Sequence, residues 1–259
     1  MIEFREVTKK YGSKTALNHI NLEIERGEIF GIIGHNGAGK STAIKCLTSI
    51  INPTSGEIIV DGQKLSENRL AIKKKIGYVA DSPDIFLRLK ASEYWDLMAI
   101  AYDISKEDYQ SRLDKFLNLF NMVEHRDEMI ETFSHGMRQK TFLIGALLAN
   151  PDIWVLDEPM TGLDPQASYD LKEMMKAHAA EGNIVLFSTH VLEVAEELCD
   201  RIGILRQGNI ISVGTIEELR QQYPDQSLET IYLKMAGREA ENTEEESVEA
   251  DRTGVDSHE

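Results

Sequence analysis

Apolar and polar residues alternate with a period of two over residues 2–7, and again at Ile20, Leu22 and Ile24 before an Arg26-Gly27 turn, which predicts two strands at the start of the chain. Residues 29–33 form a short, almost unbroken apolar run, as in a strand buried on both faces, and it runs out into glycines. A helix is expected over 39–50, stopped by Asn52-Pro53, and a strand over 57–60 before the Asp61-Gly62 turn. From about 83 to 151 the spacing becomes helical, with Tyr94, Leu97, Met98 and Ala101 on one face and Leu113, Phe116, Leu117 and Phe120 on another. Strand character returns at 153–156 and 184–187, separated by a helix over 166–180, and this alternation implies a parallel sheet. Strands at 202–205 and 209–213 and a short helix at 216–221 follow, and no internal repeat is found. The expected fold is α/β: an N-terminal antiparallel β portion, a parallel core, and an inserted helical lobe.

The length of 259 residues suits one large domain or two small lobes, and a hydrophobic content of 42% is ordinary for a globular chain. The longest apolar run, residues 142–149, is far short of the roughly 18–20 residues that span a bilayer, so any membrane role requires another polypeptide. The N-terminus opens on Glu3, Arg5 and Glu6 without a secretory pattern, and a cytoplasmic location is expected. Two cysteines, Cys46 and Cys199, are read as reduced packing residues. The formal charge of −16 argues against nucleic acid as a partner. Residues 236–259 hold nine acids against two arginines, giving −7 there and leaving −9 elsewhere, and they are expected to form a disordered acidic tail.

The glycines after the 29–33 strand carry the first chemistry. Gly34, His35, Asn36, Gly37, Ala38, Gly39, Lys40 and Ser41 fit G-x-x-x-x-G-K-[ST], between a buried strand and a helix, with Thr42 next in the helix. Such a loop turns backbone N–H groups onto phosphate oxygens and adds the positive end of the helix dipole. Lys40 would reach the terminal phosphates, and the Ser41 hydroxyl would ligate Mg²⁺. A second apolar strand, 153–156, ends in Asp157-Glu158, which lie beside the loop if both strands share a sheet. Hydrolysis needs one carboxylate for Mg²⁺, a role that suits Asp157, and one to orient or deprotonate water, which suits Glu158.

In this order the elements resemble the nucleotide-binding subunit of an ATP-binding cassette (ABC) transporter, over nearly all of residues 2–232. The string Phe133-Ser-His-Gly-Met-Arg-Gln-Lys140 stands where that family places its signature Leu-Ser-Gly-Gly-Gln. Tyr11 resembles the aromatic that stacks on adenine, Thr161-Gly-Leu-Asp164 the D-loop, and Ser188-Thr-His190 the switch histidine. The resemblance implies a P-loop NTPase (RecA-like) core at about 1–84 and 152–235, with a helical subdomain at about 85–151, together a nucleotide-binding domain over 1–235. It implies ATP and Mg²⁺ as cofactors and catalysis by Glu158, His190 and Lys40. It implies a composite site in which Ser134 and Gly136 cover the γ-phosphate held by a second cassette, identical or related, and it counts the D-loop Asp164 among the nucleotide-binding residues. A separate transmembrane permease would be the sole tie to the membrane, placing the subunit on its cytoplasmic face.

Two departures stand out. The family's Q-loop glutamine is replaced by Asp81, expected still to sense Mg²⁺, or else to act as a plain turn carboxylate. In the signature, His135 replaces the first glycine and Met137 the glutamine, while Ser134 and Gly136 remain. These strings look like those of bacterial ABC-2-type exporter ATPases, so the expected function is an ATPase subunit of a membrane exporter. The alternatives are a soluble cassette ATPase acting on ribosomes or DNA, disfavoured by the acidic charge and the single cassette, and a cassette that binds nucleotide without hydrolysing it.

Overall fold

The structure, a computed structural model, describes residues 1–81, 86–223 and 226–235. The acidic segment 236–259 lies outside the described residues. Strands β1 (Ile2–Tyr11), β2 (Lys14–Ile24), β4 (Ser55–Val60) and β5 (Gln63–Lys64) form an antiparallel sheet in the order β2-β1-β4-β5. A second sheet contains β3 (Ile29–Ile33), β6 (Ile76–Val79), β7 (Ile153–Asp157), β8 (Ile184–Thr189), β9 (Arg201–Arg206) and β10 (Asn209–Gly214), in the order β10-β9-β3-β8-β7-β6. In it β9, β3, β8, β7 and β6 run parallel and β10 closes one edge antiparallel. β3, β7 and β8 are buried at every position, as apolar runs covered on both faces require, and the polar residues that end β7 (Asp157) and β8 (Ser188, Thr189) are buried with them.

Helix α1 (Lys40–Leu47) lies between the sheets and buries Ala43, Ile44 and Leu47 against apolar residues of β1, β2, β4 and one face of the parallel sheet. On the opposite face Trp154, Val185 and Phe187 meet α6 (Pro165–Ala180) and a helical region between β6 and β7. That region holds α3 (Ala91–Ala101), α4 (Lys106–Leu119) and α5 (His135–Leu148), packed around Trp95, Phe116, Phe120 and Phe142. The fully buried Trp95 donates its indole N–H to the Thr141 carbonyl at 2.9 Å, so the largest side chain of the lobe leaves no orphaned donor. Ser105 caps α4 by accepting from the Asp108 amide, and Glu107 and Asp108 oppose the dipole in its first turn. The longest apolar run of the chain falls in α5, where residues 141–148 are buried all around.

Some elements differ from the sequence expectation. The first strand continues to Tyr11 through bulges beyond Phe4, and Glu3, expected to face water, is 7% exposed with its carboxylate held by Arg5. The first helix stops at Leu47 and not at 50, because Ser49 turns left-handed (φ 55°) and the Ile50 and Ile51 amides fold back onto the Lys45 carbonyl. Helices α2 (Arg69–Lys74), α7 (Leu192–Leu198) and α9 (Leu228–Met235) are too short to show a period; α8 (Ile216–Gln222) is announced by its Thr215/Glu218 capping box. Among the described residues no helix is long and apolar enough to cross a membrane.

Candidate active site

The strands β3, β7 and β8 end side by side, so the loops leaving them share one rim of the sheet. After β3 the chain turns through Gly37 (φ 82°) and Gly39 (φ 117°), where a side chain would be strained, and a Cβ on Gly39 would come within 2.7 Å of the Ala16 carbonyl oxygen. The turn opens a cavity of about 260 Å³ lined by Tyr11, Lys14, Ala16, His35, Asn36, Gly37, Gly39, Lys40, Ser41, Thr42, Asp81 and Glu158. Gly34 and Ala38 stand behind its wall, Gly34 pressed on the Leu205 carbonyl and Ala38 buried. Lys40 is 6% exposed; its ammonium donates to the Gly34 carbonyl at 2.6 Å and pairs with Glu158 Oε1 at 3.2 Å.

β7 delivers two carboxylates in different settings. Asp157 is buried and accepts from the Ser188 hydroxyl at 2.6 Å. Burial pushes its carboxyl pKa up, hydrogen bonds from Ser188 and Ser41 pull it back, and the nearby Asp81 and Glu158 charges raise it further. Glu158 takes a left-handed backbone (φ 50°), a strained choice for a non-glycine residue at a strand end. Its amide donates to Ser188 Oγ at 3.1 Å, and its second carboxylate oxygen meets His190 Nδ1 at 2.9 Å. Ser188 therefore ties both carboxylates to the end of β8. Sequence reading placed Ser188 only as a neighbour of His190, and the structure shows it buried at the end of β8. Lys14 was also missed, although it pairs with Tyr11 across the β1-β2 hairpin.

The loop and the carboxylates form a set of hard oxygen donors, Ser41, Asp157 and Asp81, with more negative than positive charge. Among the described residues no three His, Cys, Asp or Glu side chains converge on one point, so an ion here would be completed by phosphate oxygens and water, which is how Mg²⁺ is usually held. Tyr11 presents a half-exposed ring at the cavity mouth with the Lys9 ammonium 5.1 Å from its centroid. Ser134, Gly136 and Asp164 lie outside the cavity lining. Ser134 caps α5, and Asp164 caps α6 by accepting from the Ala167 amide at 2.9 Å. Lys140, 2.6 Å away, is the first cause that keeps the Asp164 carboxyl below its usual pKa, and the Ala167 amide adds to it.

A glycine-rich loop between a buried strand and a helix, with a lysine and a strand-end carboxylate converging on its cavity, defines a P-loop NTPase. The ABC transporter family model matches residues 17–161. The ABC-type transporter ATP-binding protein EcsA of Bacillus subtilis (strain 168) is 34% identical over 242 residues, covering 93% of this chain and 98% of the relative. The bacitracin transport ATP-binding protein BcrA of Bacillus licheniformis is 32% identical, covering 86% and 72%. Among solved structures, the dimeric post-hydrolysis state of the ATP-binding cassette MJ0796 bound to ADP and Pi superposes with a TM-score of 0.75 at 27% identity, covering 83% of this chain and 99% of that one. This chain belongs to the ABC transporter family. It is an ATP-binding subunit with ATPase activity, of the class that pairs and works with membrane permeases.

Proposed function

We propose that this chain hydrolyses MgATP in the loop cavity and drives export through a separate transmembrane permease, as a pair of cassettes made of two copies of the 1–235 domain. The observation that carries the reading is the single cavity in which Tyr11, the phosphate loop, Lys40, Ser41, Asp81 and Glu158 meet. Adenine would lie on Tyr11, and the phosphates on the amides of residues 34–42 at the start of α1. Lys40 would exchange the Gly34 carbonyl for the terminal phosphates. Mg²⁺, held by Ser41, Asp157 and Asp81, would neutralise charge on the phosphates. Glu158 would orient the attacking water and take its proton, while His190, on the other carboxylate oxygen, holds Glu158 in place.

Ser134 and Gly136 lie outside the lining of their own cavity and would cover the γ-phosphate of a second copy, supplying the positive end of α5. The dimeric MJ0796 cassette supports this pairing. Export is supported by the bacitracin transport relative and by the signature string of residues 133–140. The helical lobe would dock the permease on the cytoplasmic face: Leu97 and Ile100 on α3 and Leu70 on α2 are exposed, Ile100 at 75%. The acidic balance counts against ribosomes or DNA. The test is phosphate release from ATP by the permease complex: Glu158→Gln should lower kcat by about 100-fold or more while nucleotide binding persists. Undiminished turnover would remove Glu158 from the chemistry.

A further inference from the structure

Helix α5 leans on the loop after β7 at four points. Gly136 packs so closely on Gly162 that a Cβ added to it would lie 2.3 Å from the Gly162 carbonyl oxygen, and a Cβ on Gly162 would lie 2.3 Å from His135 Cδ2. Gln139, 2% exposed, donates to the Pro159 carbonyl at 3.4 Å. Lys140 Nζ meets Asp164 Oδ2 at 2.6 Å, with the lysine side chain 14% exposed. His135 and Gln139, and likewise Gly136 and Lys140, are spaced i, i+4, so each pair projects on one side of the helix. All four contacts fall on residues 159–164. That loop leaves Glu158, is braced by the Thr161 amide on the Glu158 carbonyl and the Leu163 amide on the Met160 carbonyl, and ends where Asp164 caps α6. His135, which departs from the family's glycine, thus has a packing role on Gly162.

We infer that Lys140 is a positioning residue: through Asp164 it locks the α5 tip, which offers Ser134 and Gly136 to the second copy, to the loop that leaves Glu158 in its own subunit. The two nucleotide sites of a pair are thereby coupled, since displacement of Glu158 in one site moves the signature turn that completes the other. This rests on the composite site proposed above. Asp164 is half exposed, and an ion pair of that kind contributes little to global stability, so its value lies in fixing the relative placement of two elements.

The test uses the full chain in the Glu158→Gln background, with MgATP-driven pairing followed by analytical ultracentrifugation and single-chain affinity followed with a fluorescent ATP analogue below the pairing concentration. Lys140→Met should leave single-chain affinity and the thermal midpoint unchanged and weaken pairing about tenfold, with Lys140→Arg restoring it. Asp164→Asn keeps the helix cap but removes the charge; it should weaken pairing equally, and the double variant should be no worse than either single one. In the chain that retains Glu158, Lys140→Met should lower kcat without raising the nucleotide dissociation constant, and flatten the dependence of rate on ATP toward a Hill coefficient of about 1. Pairing of Lys140→Met as tight as that of its parent, or full additivity with Asp164→Asn, would overturn the coupling role alone. Failure of Glu158→Gln itself to pair would instead remove the composite site on which it rests.

Discussion

At the scale of single residues, the site works by holding two adjacent carboxylates in unlike surroundings. Asp157 points into the protein beside Ser188 and Ser41, whereas Glu158 reaches the cavity between Lys40 and His190. Ser188 is the common tether, and its loss has a definite sign. Ser188→Ala removes a hydrogen bond that lowers the Asp157 pKa, so the pKa, already raised by burial, rises further, and the ionised form that would hold Mg²⁺ under the proposed function is lost at a higher pH. The acidic limb of the kcat/KM profile should shift upward; an unmoved limb would show that Asp157 does not govern it. The phosphate loop at 34–42 was legible from its spacing and Asp157 and Glu158 from the apolar strand they end, whereas His190 was legible only through the family resemblance. Ser188 and Lys14 were not legible, because a serine ending a strand and a lysine on a hairpin are each common, and only the closing of the sheets brings them to the loop.

Elements of secondary structure position the site through packing that can be perturbed away from the chemistry. Trp95 joins α3 to α5 through its buried ring and its bond to Thr141, so Trp95→Ala should cost about 3–5 kcal/mol and loosen the lobe that carries Ser134. Urea unfolding of the purified chain measures this, and a loss below about 1 kcal/mol would show that the lobe is braced elsewhere. At the far end of α6, His178 stacks on Trp154 at 4.1 Å between centroids, and burial pushes its pKa down to about 4, with Asp152 and the Pro151 carbonyl opposing the shift. Its unfolded value is about 6.5, so the unfolded chain binds the proton more readily between these values. The stabilisation is full above pH 6.5 and is lost as pH falls toward 4, up to about 3 kcal/mol. The thermal midpoint should fall across this window, and His178→Leu should flatten the fall; an equally steep profile would place the titration elsewhere. β3 was predictable from its unbroken apolar run and α4 from its helical spacing, whereas α2, α7 and α9 gain their order from tertiary contacts that six to eight residues cannot encode alone.

For the whole molecule, Ser134 and Gly136 lie outside the lining of the cavity that holds Lys40, so under the proposed function one chain would supply half of each site. Two copies in a two-fold pairing would complete both sites at once. Asp81 and His135, two of the three positions where the chain leaves the family pattern, both keep a place in this arrangement: Asp81 lines the cavity, and His135 covers Gly162. What the sequence could not disclose is the interlock of α5 with residues 159–164, since helix and loop lie apart in the chain and meet only once the helical lobe folds onto the core. The most direct test of the shared site is complementation between two inactive chains, Lys40→Ala in the phosphate loop and Ser134→Arg in the signature. Each alone should hydrolyse almost no ATP. An equimolar mixture should recover activity, up to about a quarter of the unmodified rate, because half of randomly formed pairs are mixed and each holds one intact site, with coupling between sites lowering the yield. A mixture as inactive as its components, or Ser134→Arg as active alone as the unmodified chain, would contradict a nucleotide held between two copies.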